Sequence, residues 1–124
     1  MNTAARHLLA EYRGCPRERL DDLERIEQLM RAAAQAVGAT VVDARFHRFT
    51  PQGVSGVLLL LESHLSIHTW PEAGYAAVDL YTCGRCEPMP AHQVLLAGLG
   101  ASASETMLLE RGLVGPGPLM QVAG

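Results

Sequence analysis

No lysine occurs anywhere in the chain; all ten basic side chains are arginine. A lysine Schiff base, a lysine-anchored pyridoxal phosphate and a P-loop lysine are thereby excluded. Positive charge is in short supply as well. Ten basic groups against thirteen acidic ones give a net charge of −3, which is no footprint for nucleic acid. Three cysteines, an odd and small number, argue against a disulfide-stapled secreted module. The longest strongly apolar run, Val57 to Leu61, is far too short to cross a bilayer. Met1 to Ala10 has one early arginine and no long apolar stretch, which makes a poor signal peptide. The expectation is a cytoplasmic protein with neither a nucleic-acid nor a membrane partner. What is present is globular: 48% of residues are hydrophobic and 19% charged, in 124 residues. That is one domain with one core, spanning 1–124.

The clearest helix runs from Leu20 to Val37, where Leu23, Ile26, Met30, Ala33 or Ala34, and Val37 line one face. Asp21, Asp22, Glu24 and Glu27 near its start suit the helix dipole, and Gly38 punctuates its end. A short strand is expected over His7–Tyr12. A β-rich middle follows, with strands at Thr40–Phe49, Val54–Glu62, His64–Trp70 and Tyr75–Thr82. In the first of these, alternation groups Val42, Ala44, Phe46 and Arg48 on one face. A short helix over Pro90–Leu99 and a strand over Glu105–Glu110 complete the order. Residues 112–124, rich in glycine and proline, read as a flexible tail. The expected fold is α+β: a two-layer sandwich with an antiparallel sheet and two helices packed on one face. The bare face of such a sheet needs cover, and a homodimer supplies it.

Polar residues gather between Ser55 and Cys86, and several chemistries compete for them. His64, His68 and Glu72 are four residues apart and of ligand type. Yet the two histidines would stand roughly 13 Å apart along a strand, so no metal is expected. Cys83-Gly-Arg-Cys86 lacks the second pair a zinc site needs and the βαβ context of a redox dithiol. Two incidental thiols is the default. Ser63 beside His64 lacks a G-x-S-x-G elbow, and adjacent strand residues face opposite ways. Taken singly, Ser55 is a small turn residue and Trp70 is core.

Taken together, Glu62-Ser63-His64-Leu65-Ser66-Ile67-His68-Thr69-Trp70-Pro71-Glu72 resembles the processing segment of the prokaryotic S-adenosylmethionine decarboxylases. The resemblance continues through Gly74-Tyr75-Ala76-Ala77-Val78-Asp79 to Thr82-Cys83-Gly84. Upstream it takes in Phe46-His47, Phe49, Pro51-Gln52-Gly53-Val54-Ser55-Gly56, Gly38-Ala39-Thr40 and Tyr12 to Cys15. In all it spans roughly residues 6 to 84 and fits the family's short, single-domain class.

This resemblance implies a proenzyme that cleaves itself between Glu62 and Ser63 into chains 1–62 and 63–124. Attack of the Ser63 hydroxyl on the Glu62 carbonyl would give an ester. Loss of the Ser63 α-proton and elimination would then leave a pyruvoyl group at the new terminus. By the same resemblance, Ser55 assists processing and His68 is its base, a task suited to a pKa near neutrality. The pyruvoyl cofactor would form a Schiff base with the substrate and accept the electrons released with carbon dioxide. Cys83 would return a proton to the substrate Cα. Phe49, His68 and Glu72 would bind S-adenosylmethionine, the product being the aminopropyl donor for spermidine, with the sites at a dimer interface. Cys86 lies outside the matched segment. Ala73 stands where a larger residue is common, and related pyruvoyl enzymes act on arginine or ornithine. A non-processing, non-enzymatic homologue is the opposing class.

Overall fold

A computed structural model describes residues 2–123. In chain order the elements are β1 (Ala5–Arg13), α1 (Arg17–Leu20), α2 (Leu23–Ala36), β2 (Val41–Arg48), β3 (Val54–Leu60) and β4 (Ser63–Trp70). A 3₁₀ turn (Pro71–Ala73) leads into β5 (Tyr75–Cys83), followed by α3 (Met89–Leu99), β6 (Ala103–Arg111) and β7 (Met120–Val122). The strands form one seven-stranded sheet in the order β2-β3-β4-β5-β1-β6-β7, and every pairing is antiparallel. The expected α+β architecture is what the chain adopts, with α2 and α3 as its two long helices.

Alternation along the central strands builds the core. Leu8, Ala10 and Tyr12 of β1, Leu65 and Ile67 of β4, and Ala76, Val78 and Leu80 of β5 are all buried. They share one cluster with Ile26, Met30 and Ala33 of α2 and Leu95 and Leu99 of α3. Each fully buried Leu or Ile contributes about 1.5–3 kcal/mol. At one point the sheet needs a residue without a side chain. A Cβ on Gly56 would lie 2.0 Å from the ring of Phe46, its partner across β2 and β3.

The Leu20–Val37 helix is interrupted. The backbone turns at Asp21 and Asp22, because both side chains are used for capping and tethering. Asp22 accepts a hydrogen bond from the Arg25 amide at 3.2 Å and caps α2, a contact typically worth about 1 kcal/mol. Asp21 instead accepts from the Gly53 amide at 2.9 Å and from Arg48 at 2.8 Å. Those bonds hold its carboxyl below the ordinary carboxylate range and tie the helix layer to the loop after β2.

In β2 the register shifts between Val41 and Asp43. The extra residue reverses the side-chain parity. Val41, not Val42, therefore joins Ala44 and Phe46 against the core, and Val42 is exposed. The tail also departs from expectation. Met120–Val122 pairs with Leu109–Arg111 as a seventh strand, and the Leu113 amide bonds to the Leu119 carbonyl at 3.1 Å to close the loop. Glycine and proline there shape a turn; the backbone groups of β6 supply the edge on which the chain returns.

Candidate active site

The face of the sheet opposite the helices carries both the polar residues and a set of exposed apolar ones. Leu9, Val57, Leu59 and Met107 are 36–51% exposed, and the register puts all four on this face. Met120 and Val122, also exposed, extend it through their partners Arg111 and Leu109.

The expected site residues divide into two groups. At one end of the sheet, Ser55 Oγ lies 2.8 Å from His68 Nδ1 because Ser55 and His68 are cross-strand partners. Phe49 follows β2 at this end, its ring 4.6 Å from that of His47. Glu72 sits in the 3₁₀ turn just beyond β4. A shallow cavity of about 370 Å³ is lined here by Arg45, His47, Ser55, Val57 and His68 among others. At the other end, Leu61 and Glu62 form the tight β3–β4 connection, and Ser63 opens β4 paired with Leu60. His64 pairs with Tyr81, so continuing the register puts Ser63 opposite Thr82, one residue from Cys83. Cys83 is exposed at the end of β5.

Five residue steps along the strand lead from Ser63 to His68, roughly 16 Å at about 3.3 Å per residue. One copy of the chain therefore does not bring His68 or Ser55 to the Glu62–Ser63 bond. The same register leaves Cys83 one position beyond the residue opposite Ser63.

The scissile position has its own peculiarity. Among the described residues, Glu62 is the one non-glycine residue with positive φ, at 61°. A side chain in the left-handed region costs roughly 1–2 kcal/mol.

Beside this end lies a network that spacing alone did not reveal. Asp79 Oδ2 is 2.6 Å from His7 Nε2 and 2.8 Å from His64 Nε2, and Ser66 donates to Asp79 Oδ1. Burial pushes the Asp79 carboxyl up, but the hydrogen bonds from Ser66, His7 and His64 prevail and hold it below the usual range. His7, His64 and Asp79 could each offer one ligand atom to a metal within 4.8 Å. However, Arg111 approaches His7 Nδ1 at 3.1 Å. Arginine only donates, so Nδ1 must accept and the ring proton lies on Nε2, aimed at Asp79. That tautomer makes the trio a hydrogen-bonded brace around Tyr81, whose ring stacks on His64 at 5.8 Å and lies under Arg111. His64, Ser66 and Asp79 were visible as polar strand positions; His7 and Arg111 join them only through the pairing of β1 with β5 and β6.

The family model described as S-adenosylmethionine decarboxylase matches residues 6–112. The chain belongs to the S-adenosylmethionine decarboxylase family. Its relatives include the S-adenosylmethionine decarboxylase proenzyme of Thermotoga maritima, 51% identical over 113 residues, which are 90% of this chain and 87% of that one. The protein of the same name from Geobacillus sp. is 47% identical over 91% of both chains. Among solved structures, the adenosylmethionine decarboxylase of Aquifex aeolicus matches with a TM-score of 0.83 at 34% identity, covering 95% of this chain and 98% of that one. The likeness to this S-adenosylmethionine decarboxylase thus takes in nearly all of the chain. Among the described residues, no helix is long and apolar enough to cross a membrane.

Proposed function

We propose that this chain is a precursor that breaks its own Glu62–Ser63 bond, and that the cleaved protein decarboxylates S-adenosylmethionine in the route to spermidine. The observation that carries this reading is the strained φ of Glu62, sited at the bond that the family resemblance marks for cleavage. Strain held by a non-glycine residue points to function when the surrounding structure imposes it. Here a two-residue connection between paired strands does so.

The Ser63 hydroxyl and Glu62 carbonyl are neighbours, so the first step, transfer of the acyl group from nitrogen to oxygen, needs no distant residue. Removal of the Ser63 α-proton does need a base. His68, oriented by Ser55, is that base, and it comes from a second copy. Two copies related by a two-fold axis running across the strands, between their open faces, would lay one Ser63 end over the partner copy's His68 end. The exposed Leu9, Val57, Leu59 and Met107 are the apolar surface such packing would cover.

A pyruvoyl group at residue 63 supplies an electrophilic carbonyl that takes up the electron pair released with carbon dioxide. The residues around position 63 fit such a group: the register carried on from His64–Tyr81 leaves Cys83 next to the position opposite Ser63, and its thiol would hold the proton to be delivered to the substrate Cα. Phe49 and His68 offer flat faces for adenine or the sulfonium, and Glu72 offers an acceptor for ribose hydroxyls.

Intact-mass measurement on purified protein tests the reading. Wild type should separate into chains ending at Glu62 and beginning at residue 63, with the second blocked at its N-terminus, and should release carbon dioxide from carboxyl-labelled S-adenosylmethionine. Ser63→Ala should stay whole and inert. Cleavage of that variant at the same bond would overturn the mechanism.

A further inference from the structure

We infer that Cys83 and Cys86 form a reversible disulfide that switches the decarboxylase site off. The inference rests on the reading of Cys83 as proton donor and adds a regulator to it.

The geometry is that of a closed turn. The Cys86 amide donates to the Cys83 carbonyl at 3.1 Å, bracketing Gly84 and Arg85. A hydrogen-bonded turn of four residues holds its terminal Cα atoms within about 7 Å, and a disulfide spans roughly 4.4–6.8 Å between Cα atoms. The turn is braced from both sides. The Gly84 amide bonds to the Ala4 carbonyl at 3.0 Å, and Arg6 donates to the Cys86 carbonyl at 3.3 Å. The Cys83 thiol is exposed, whereas Cys86 is half-buried with its sulfur 3.8 Å from the Val37 carbonyl. An exposed thiol for attack and a sheltered one held three residues away are the parts of an attacking and resolving pair. Burial outweighs the hydrogen bond to Thr82 and pushes the Cys86 thiol up, so Cys86 rests as a protonated thiol. The third cysteine, Cys15, is buried in the core and lies on the other side of the cleavage point.

The oxidant is a low-molecular-weight disulfide. The Cys83 thiolate attacks one of its sulfurs, forming a mixed disulfide and releasing one small thiol. Cys86, once deprotonated, then attacks the Cys83 sulfur, forming the Cys83–Cys86 bond and releasing the second small thiol. Two protein thiols are oxidised and one small disulfide is reduced to two thiols. With its sulfur bonded to Cys86, Cys83 no longer carries a proton to deliver.

The test treats processed wild-type protein and Cys86→Ser with oxidised glutathione, then with dithiothreitol. In wild type, the 63–124 fragment should become lighter by two hydrogen atoms and both its cysteines should resist alkylation. Its turnover should fall at least tenfold and return with dithiothreitol. Cys86→Ser should match wild-type turnover when reduced and show no two-hydrogen loss, carrying at most a glutathione adduct. Wild-type fragment that keeps both thiols or accumulates only the adduct would overturn the disulfide. An oxidised fragment with undiminished turnover would overturn the switch. Mass and alkylation read the disulfide without reference to activity, so an inactive reduced protein would instead count against the decarboxylase reading.

Discussion

Ser63 opens β4 and His68 lies near its far end, paired across the sheet with Ser55 at 2.8 Å. The separation of roughly 16 Å divides the expected machinery into one half with Glu62, Ser63 and Cys83 and another with Phe49, Ser55, His68 and Glu72. A side chain cannot bridge that distance, so the site proposed above takes one half from each of two copies. Complementation is the consequence. His68→Ala and Cys83→Ala should each be inactive alone. Co-expressed, they should regain about a quarter of wild-type turnover, since about half the dimers are mixed and each then holds one intact site. No recovery in isolated mixed dimers would place both halves in one chain.

Strain at Glu62 should have a kinetic signature. Glycine adopts positive φ freely, so Glu62→Gly relaxes the turn before cleavage. If about 1 kcal/mol of strain is lost from the ground state, self-cleavage should slow about fivefold. Single-turnover cleavage followed by mass spectrometry reads this directly. An unchanged or faster rate would show that the left-handed residue does not drive the reaction.

Substrate choice should depend on the end of the sheet that holds Phe49 and Glu72. Arginine and ornithine have neither adenine nor ribose to use those contacts. S-adenosylmethionine should therefore be decarboxylated at least tenfold faster, a difference of about 1.4 kcal/mol in the transition state. Glu72→Gln should reduce that turnover while leaving self-cleavage near the wild-type rate. Labelled carbon dioxide released from the three substrates side by side decides it; faster release from arginine or ornithine would reassign the substrate.

Acid stability should respond to His92, which is buried and shares a hydrogen bond with the Tyr12 hydroxyl through Nδ1, 2.8 Å away. Burial holds its pKa below the ordinary histidine value, so the folded form keeps it neutral. The unfolded chain takes up a proton below about pH 6.5. The contribution of His92 is thus complete above that pH and is lost as pH falls towards the folded value. Glutamine keeps an acceptor for Tyr12 and does not titrate. Urea midpoints at pH 7.5 and pH 5 should drop further for wild type than for His92→Gln; parallel drops would remove His92 from the acid response.

Much of this architecture was legible along the chain. The three- and four-residue steps from Leu23 to Val37 marked α2, because burial on one face imprints its period on sequence, and apolar and β-branched runs between turn residues marked β3, β4 and β5. The dense match from Phe46 to Gly84 pointed to a self-cleaving decarboxylase, which the family comparison supports through the name its members share. Other features depended on contacts between distant segments. Val42 points outward because β2 gains a residue against β3, and the tail becomes a strand because β6 offers it an edge. His7, His64, Asp79 and Arg111 meet through strands remote in sequence. Above all, the residues of the family motif read as one site, yet β4 holds Ser63 and His68 apart. An extended strand advances too far per residue for its two ends to share a reaction centre. That spacing follows from reading the segment as a strand, but that the chain keeps β4 extended in a sheet and does not fold its ends together is a property of the tertiary structure.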